Sequence, residues 1–156
     1  MVKAKNNPQG FRVLINELVG GLCLDWLDVR HPAPAIVELP EDILANSPDA
    51  KFDTGEMLAP GLGFGSELWQ SDAAEAIPAS DIRNKGDVAG TNAFDSWVVQ
   101  GNGRQARVRA APDEPGKYDY FPVDQGHSFG APEWTPASLD GARDVNVRSV
   151  RPIDHR

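Results

Sequence analysis

The sequence predicts an α+β domain with a small, mainly antiparallel sheet and one long helix. Three observations predict it. A helical period runs through residues 11 to 27, short extended segments flank it, and two β-like runs face each other across the loop Pro112-Asp113-Glu114-Pro115-Gly116. With 156 residues, 40% of them hydrophobic and 24% charged, the chain suits one globular domain with its own core.

Val2 to Lys5 reads as a short strand, and Asn6-Asn7-Pro8-Gln9-Gly10 as a turn. Phe11, Leu14, Ile15, Leu18, Val19, Leu22 and Trp26 recur at helical spacing, which predicts the buried face of a helix ending near Asp28. His31-Pro32-Ala33-Pro34 is extended, because a residue before proline is pushed out of the helical region, and Ala35 to Leu39 makes a second strand. Pro40 to Ala45 restarts a short helix with proline in its first turn. Residues 46 to 60 form a polar surface excursion. The run GLGFGSELW returns as a strand; its Gly-x-Gly-x-Gly admits a phosphate-binding loop or a twisted, closely packed strand, and the incomplete glycine fingerprint favours the strand. Residues 71 to 87 hold short helical or turn pieces and Val88 to Val99 a helix. Arg107 to Ala110 and Tyr118 to Val123 then make a hairpin.

A formal net charge of −8 disfavours a protein that neutralises nucleic-acid phosphates, although Arg104, Arg107 and Arg109 form a local basic strip. Cys23 is the only cysteine, which excludes an internal disulfide and a cysteine-rich zinc site; a buried, inert thiol is expected. No apolar run approaches the roughly 18 residues of a membrane span, and no signal-peptide pattern occurs, so a cytoplasmic protein without membrane contact is expected. Trp26, Trp69 and Trp97 lie in regular elements and are expected as core or half-buried anchors. Trp134, between Pro132 and Pro136, either clamps the tail to the domain or belongs to an interface.

The order NPQGFRVLINELVGGL, a proline-containing strand ending in VELPE, then GFGSELW, FDSWVV and VDQGHSFG resembles the HipA-like kinases over most of residues 2 to 134. The resemblance implies an upper-lobe-like part over 1–70, a reduced lower-lobe-like part over 71–135 and a tail over 136–156. It implies ATP and Mg2+ as cofactors, with Lys3 on the nucleotide phosphates, Lys5 as a substitute, Glu17 as the lysine's helix partner and Asp124 as the metal ligand. Read without the resemblance, Lys3 and Glu17 are ordinary surface residues and Asp124 caps a turn.

The catalytic loop departs from the family. Gln100, Asn102, Gly103 and Arg104 fall where family members carry an asparagine and then Asp-Arg, so Asn102 marks a degenerate catalytic position that cannot take up a proton at neutral pH. Arg107 falls at about the metal-binding asparagine, where it repels magnesium. Val98 to Ala111 contains no aspartate, and two residues before Lys3 leave none for a glycine-rich hairpin. The expectation is a catalytically impaired pseudokinase that retains ATP and acts as a protein-binding or regulatory module, in a toxin–antitoxin, phage or mobile-element setting. A homodimer is compatible with it. One alternative is an active ATP-dependent protein phosphotransferase of toxin type. A second is a serine esterase, because Gly126-His127-Ser128-Phe129-Gly130 matches the Gly-x-Ser-x-Gly turn, with Asp140 or Asp144 and His155 in the right chain order. Asp124 with His127 supplies too few ligands for zinc, and His127 reads as a structural residue donating to a backbone carbonyl.

Overall fold

The computed structural model describes residues 1–69, 77–130 and 132–138. The architecture is α+β, with two small antiparallel sheets, three α-helices and a 3-10 turn (Ala79–Asp81) among the described residues. Strand β1 (Val2–Lys3) and strand β2 (Pro34–Leu39) both pair with the central β3 (Gly61–Ser66), giving the order β1-β3-β2. Register sets Lys3 opposite Phe64 and Ile36 opposite Phe64 on its other side, so these three side chains share a face. The second sheet is the expected hairpin, β4 (Gln105–Ala110) with β5 (Tyr118–Val123), and Gln105, Arg107 and Arg109 stand on one face opposite Val123, Phe121 and Asp119.

Helix α1 (Arg12–Trp26) lies between the first sheet and helix α3 (Lys85–Trp97), with the short α2 (Glu41–Ala45) following β2. Pro40 precedes α2 in extended conformation, as a proline at a helix start allows. Two apolar clusters hold α1. Val13 and Leu14 pack with Phe64 of the sheet, while Leu24 packs with Val29, Phe94 and Val98 on the α3 side. Cys23 packs partly buried against this second cluster. α3 starts three residues before the expected Val88, at Lys85, since Gly86 and Asp87 hide the helix from propensity.

Of the expected face of α1, Leu14 is buried and Leu18 partly buried, but the rest of the face differs. Phe11, Ile15, Val19, Leu22 and Trp26 point to solvent, with Trp26 78% exposed, whereas Val13, Asn16, Glu17, Gly20, Gly21 and Leu24 are buried. At about 100° per residue these two sets lie on roughly opposite sides of the helix. The reason is steric and polar. Gly20 lets α1 approach the turn after β5 so closely that a Cβ there would sit 2.7 Å from Gln125 Cβ. Asn16 and Glu17 on the same face find hydrogen-bond partners, so that side buries without an apolar stripe. Trp97 is likewise 62% exposed, which corrects its expected anchoring role along with that of Trp26. Trp69 is half-buried, edge-on to Phe121 at 4.1 Å between ring centroids.

Trp134 clamps the tail. Its Nε1 donates to Asn16 Oδ1 at 2.7 Å and its ring meets Phe129 edge-on, with the Arg12 guanidinium over it. Residues 71 to 76 of the expected helical pieces, and Asp140, Asp144 and His155, lie outside the described residues. No described helix is long and apolar enough to cross a membrane.

Candidate functional site

Lys3, Glu17 and Asp124 meet. The side chain of Lys3 leaves β1 on the face that carries Phe64, and α1 covers that face with Glu17 in reach. Lys3 Nζ donates to Glu17 Oε1 at 2.5 Å and to Asp124 Oδ1 at 3.0 Å. The lysine side chain is 13% exposed and the glutamate 3%. Glu17 Oε2 accepts the Gln125 backbone N–H at 2.8 Å, and Asp124 Oδ2 accepts Gln105 Nε2 at 2.8 Å. All three charged groups are thereby fixed by at least two partners each, an arrangement unlike that of ordinary surface residues.

The backbone of Asp124 is left-handed, at φ 60°. Aspartate tolerates this region better than most residues, and here it turns the chain out of β5 so that Asp124 and Gln125 point in different directions. Asp124 faces Lys3, while Gln125 is buried with its Oε1 accepting Arg104 Nη1 at 2.8 Å. The turn is further held by Asn16, which is fully buried and whose Nδ2 donates to Gly126 O at 2.8 Å and to Ser128 O at 3.1 Å.

Electrostatics follow from three charges sharing a half-buried space. Burial works against the charge on Lys3, but the attraction of Glu17 and then of Asp124 overcomes it and holds the ammonium above the ordinary lysine value. Burial pushes Glu17 above the ordinary glutamate range, and the pull of Lys3 offsets only part of this. Burial also opposes ionisation of Asp124, but its hydrogen bonding with Glu17 and the charge of Lys3 leave it below the usual aspartate value. The two carboxylates compete for one cation, and Glu17 is the one inclined to take a proton.

A cavity of about 230 Å3 is lined by this triangle together with Gln105, Arg107 and the apolar side chains of Pro34, Phe64, Leu68 and Trp69. Its mixture of charged and apolar lining suits a ligand with a charged and an apolar part. Its volume is below the roughly 300–1,000 Å3 of common small-molecule sites, so a nucleotide would extend beyond it.

Among the described residues no group of three or more His, Cys, Asp or Glu could hold a metal ion. Magnesium that arrives with phosphates needs less, often one or two carboxylates with water filling the remaining positions. Asp124 meets that requirement: it lines the cavity, and its Oδ2 is held by the neutral Gln105 amide, which a cation can displace. Lys5, the substitute for Lys3, is exposed with its Nζ beside Gly61 rather than in the cavity.

The remaining sequence-based assignments separate from this site. Asn102 is exposed, its Oδ1 accepts the Gly103 N–H at 2.8 Å, and it does not line the cavity. The loop around it packs elsewhere, with Gly101 N donating to His127 O. Arg104 leaves the basic strip: it donates from Nε to Asp95 Oδ2 at 2.9 Å and from Nη1 to Val123 O at 2.9 Å, pairing through Nη2 with Asp95 as well. It ties α3 to the end of β5. Gly63 lies inside β3, where a Cβ would sit 2.7 Å from Lys3 O, so close strand packing accounts for it without a phosphate loop. Ser128 is fully buried beneath α1 and its Oγ has no hydrogen-bond partner, unlike the exposed nucleophile of a Gly-x-Ser-x-Gly elbow. His127 Nε2 lies 3.4 Å from Gln9 Nε2, a side-chain neighbour in place of the expected carbonyl.

Sequence reasoning missed Asn16, Gln105 and Gln125, which position the site residues. For Asn16 and Gln125 the available signal was a polar residue adjoining Glu17 or Asp124 in sequence; Gln105 carried none. The chain matches no family model, no curated protein and no solved structure.

Proposed function

We propose that this chain is a HipA-like, kinase-related pseudokinase: a nucleotide-binding module that engages another protein and transfers phosphate poorly or not at all. The observation that carries the reading is the Lys3–Glu17–Asp124 triangle, which joins groups as far as 121 positions apart in the chain. Kinase-type phosphoryl transfer uses a strand lysine on the phosphates, a helix glutamate that orients it, and an aspartate on the magnesium, and these three residues occupy corresponding elements. In the bound state Lys3 would contact phosphate oxygens, Glu17 would keep Lys3 extended, and Asp124 would hold the cation. The cation supplies charge neutralisation at the phosphates.

Impaired transfer is supported by the segment Val98 to Ala111, which carries no aspartate. Phosphoryl transfer to a hydroxyl also requires a group that positions the hydroxyl and accepts its proton. Glu17 and Asp124 are both committed to Lys3, and from that segment Gln100 offers an amide that donates to Asp124 O at 3.4 Å. An amide cannot serve as a base.

Two measurements test the reading together. ATP with magnesium is expected to raise the melting midpoint, as any ligand selective for the folded state does, while phosphate transfer to acceptor proteins stays at background. Transfer at the ~1–100 s−1 of ordinary kinases would reinstate the active phosphotransferase. An unchanged midpoint at millimolar ATP would remove nucleotide binding.

Engagement of a protein is supported by the outer face of α1, where Phe11, Leu22 and Trp26 are exposed in line with Ile15 and Val19. A continuous apolar face of this kind is characteristic of an interaction surface. The simplest occupant is a second copy. Self-association that Leu22→Glu combined with Trp26→Glu abolishes would support it, and a strictly monomeric wild type would leave only a different protein.

A further inference from the structure

Arg107 is a cationic residue of the cavity without an assigned role. It stands on the β4 face between Gln105, which holds Asp124, and Arg109, whose guanidinium lies 5.5 Å from the centroid of Trp69. Among the described residues it has no carboxylate partner, whereas Lys3, Arg30, Arg83 and Arg104 are each ion-paired. Its side chain is exposed and lines the same cavity as Lys3 and Asp124.

A charge count defines what such a residue can do. Lys3, Glu17 and Asp124 together carry one positive and two negative charges, so the triangle alone repels an anion. Protein kinases overcome this with two divalent cations, one on the aspartate and one on a second ligand. Here the carboxylate facing the cavity from the β5 turn is Asp124, Glu67 lines it beyond β3, and two positions along β4 from the Gln105 that holds Asp124 stands a permanently charged guanidinium. A guanidinium excludes a cation from its neighbourhood, yet it donates two parallel hydrogen bonds to phosphate oxygens.

We propose that Arg107 is a phosphate-binding residue that supplies the charge a second divalent cation would supply, so that the cavity takes a nucleoside triphosphate carrying a single magnesium ion. The inference rests on the nucleotide reading above and adds to it the stoichiometry of the metal and the identity of the second cationic contact. Arg107 then acts on affinity, and free magnesium beyond the single ion has no site to fill.

The test is ATP binding by calorimetry at two free magnesium concentrations, both in excess of the nucleotide and about tenfold apart, with ionic strength matched. Wild type is expected to show the same dissociation constant within about a factor of two at both, because a charge-assisted contact already replaces the second ion. Arg107→Ala is expected to weaken binding by ~10- to 100-fold, the range of a lost charged hydrogen bond, and Arg107→Lys to recover part of it. Because Arg107 is exposed and makes no ion pair with the described residues, both variants should melt with wild type, which keeps the comparison free of folding effects. A wild-type affinity that rises about tenfold with free magnesium would overturn the proposal while leaving nucleotide binding in place, since a second cation would then be at work. So would Arg107→Ala binding as tightly as wild type. Absence of wild-type binding in both buffers would overturn this proposal and the nucleotide reading together.

Discussion

Lys3→Met removes the one cation among the described residues that pairs with Glu17 and Asp124 while keeping most of the aliphatic stem. The side chain of Glu17 is 3% exposed and Lys3 Nζ is 2.5 Å from it, so the variant leaves a buried carboxylate beside a second one. Removing one partner of a buried pair costs about 3–5 kcal/mol, more than the pair contributes relative to an apolar replacement. With a urea slope of about 2 kcal/mol/M, the unfolding midpoint at pH 7.5 should fall on the order of 2 M. The loss must also depend on pH. Glu17 already stands above its ordinary value because burial outweighs the pull of Lys3, so its contribution is favourable below its unfolded pKa and is lost as pH rises through the folded one. Without Lys3 the folded pKa climbs further, and the cost relative to wild type is greatest at neutral pH. It shrinks as acid protonates Glu17. Urea melts of both proteins at pH 7.5 and pH 5 give the comparison. A difference below about 1 kcal/mol at neutral pH, or one that does not narrow at pH 5, would refute the claim that the triangle is a buried, mutually dependent cluster.

Asn16→Ala leaves two buried carbonyls of the 126–128 turn and the Trp134 indole without their partner, and should cost about 2–4 kcal/mol by denaturant unfolding. Gly20→Ala gains about 1 kcal/mol of helix propensity but sets a methyl 2.7 Å from Gln125 Cβ; overpacking of about 1–3 kcal/mol should win, seen as a lower melting midpoint. Asp119 is held below the ordinary aspartate value first by its hydrogen bonds from Arg83, so its contribution is present above the unfolded pKa and is lost as pH falls through the folded one. Arg83→Met should therefore differ from wild type in thermal stability at neutral pH and converge with it in strong acid.

Hairpin β4–β5 was legible because its two β-rich runs flank a turn with Pro and Gly, which is a local signal. The span of α1 was legible for the same reason, yet its buried face was not. Hydrophobic periodicity reports where apolar residues lie, and in α1 the interior takes Asn16, Glu17, Gly20 and Gly21, whose fit depends on a distant turn. Lys3, Glu17 and Asp124 could be named only through the family resemblance, since spacing says nothing about contacts across the fold. Asn102 was placed by register alone, and a loop's register does not fix where its side chains go. Arg107 reads from sequence as an obstacle to magnesium, and its place in the cavity wall could not be read from register.

The most direct test of the account is calorimetric titration of ATP with magnesium into wild type and Asp124→Asn. Asparagine keeps the shape and tolerates the left-handed backbone at φ 60°, so the substitution removes the charge with little disturbance of the turn. The account predicts saturable binding to wild type and a loss of at least tenfold in affinity for the variant. Wild type that takes up no ATP at millimolar concentration, or a variant that binds as well as wild type, would contradict it.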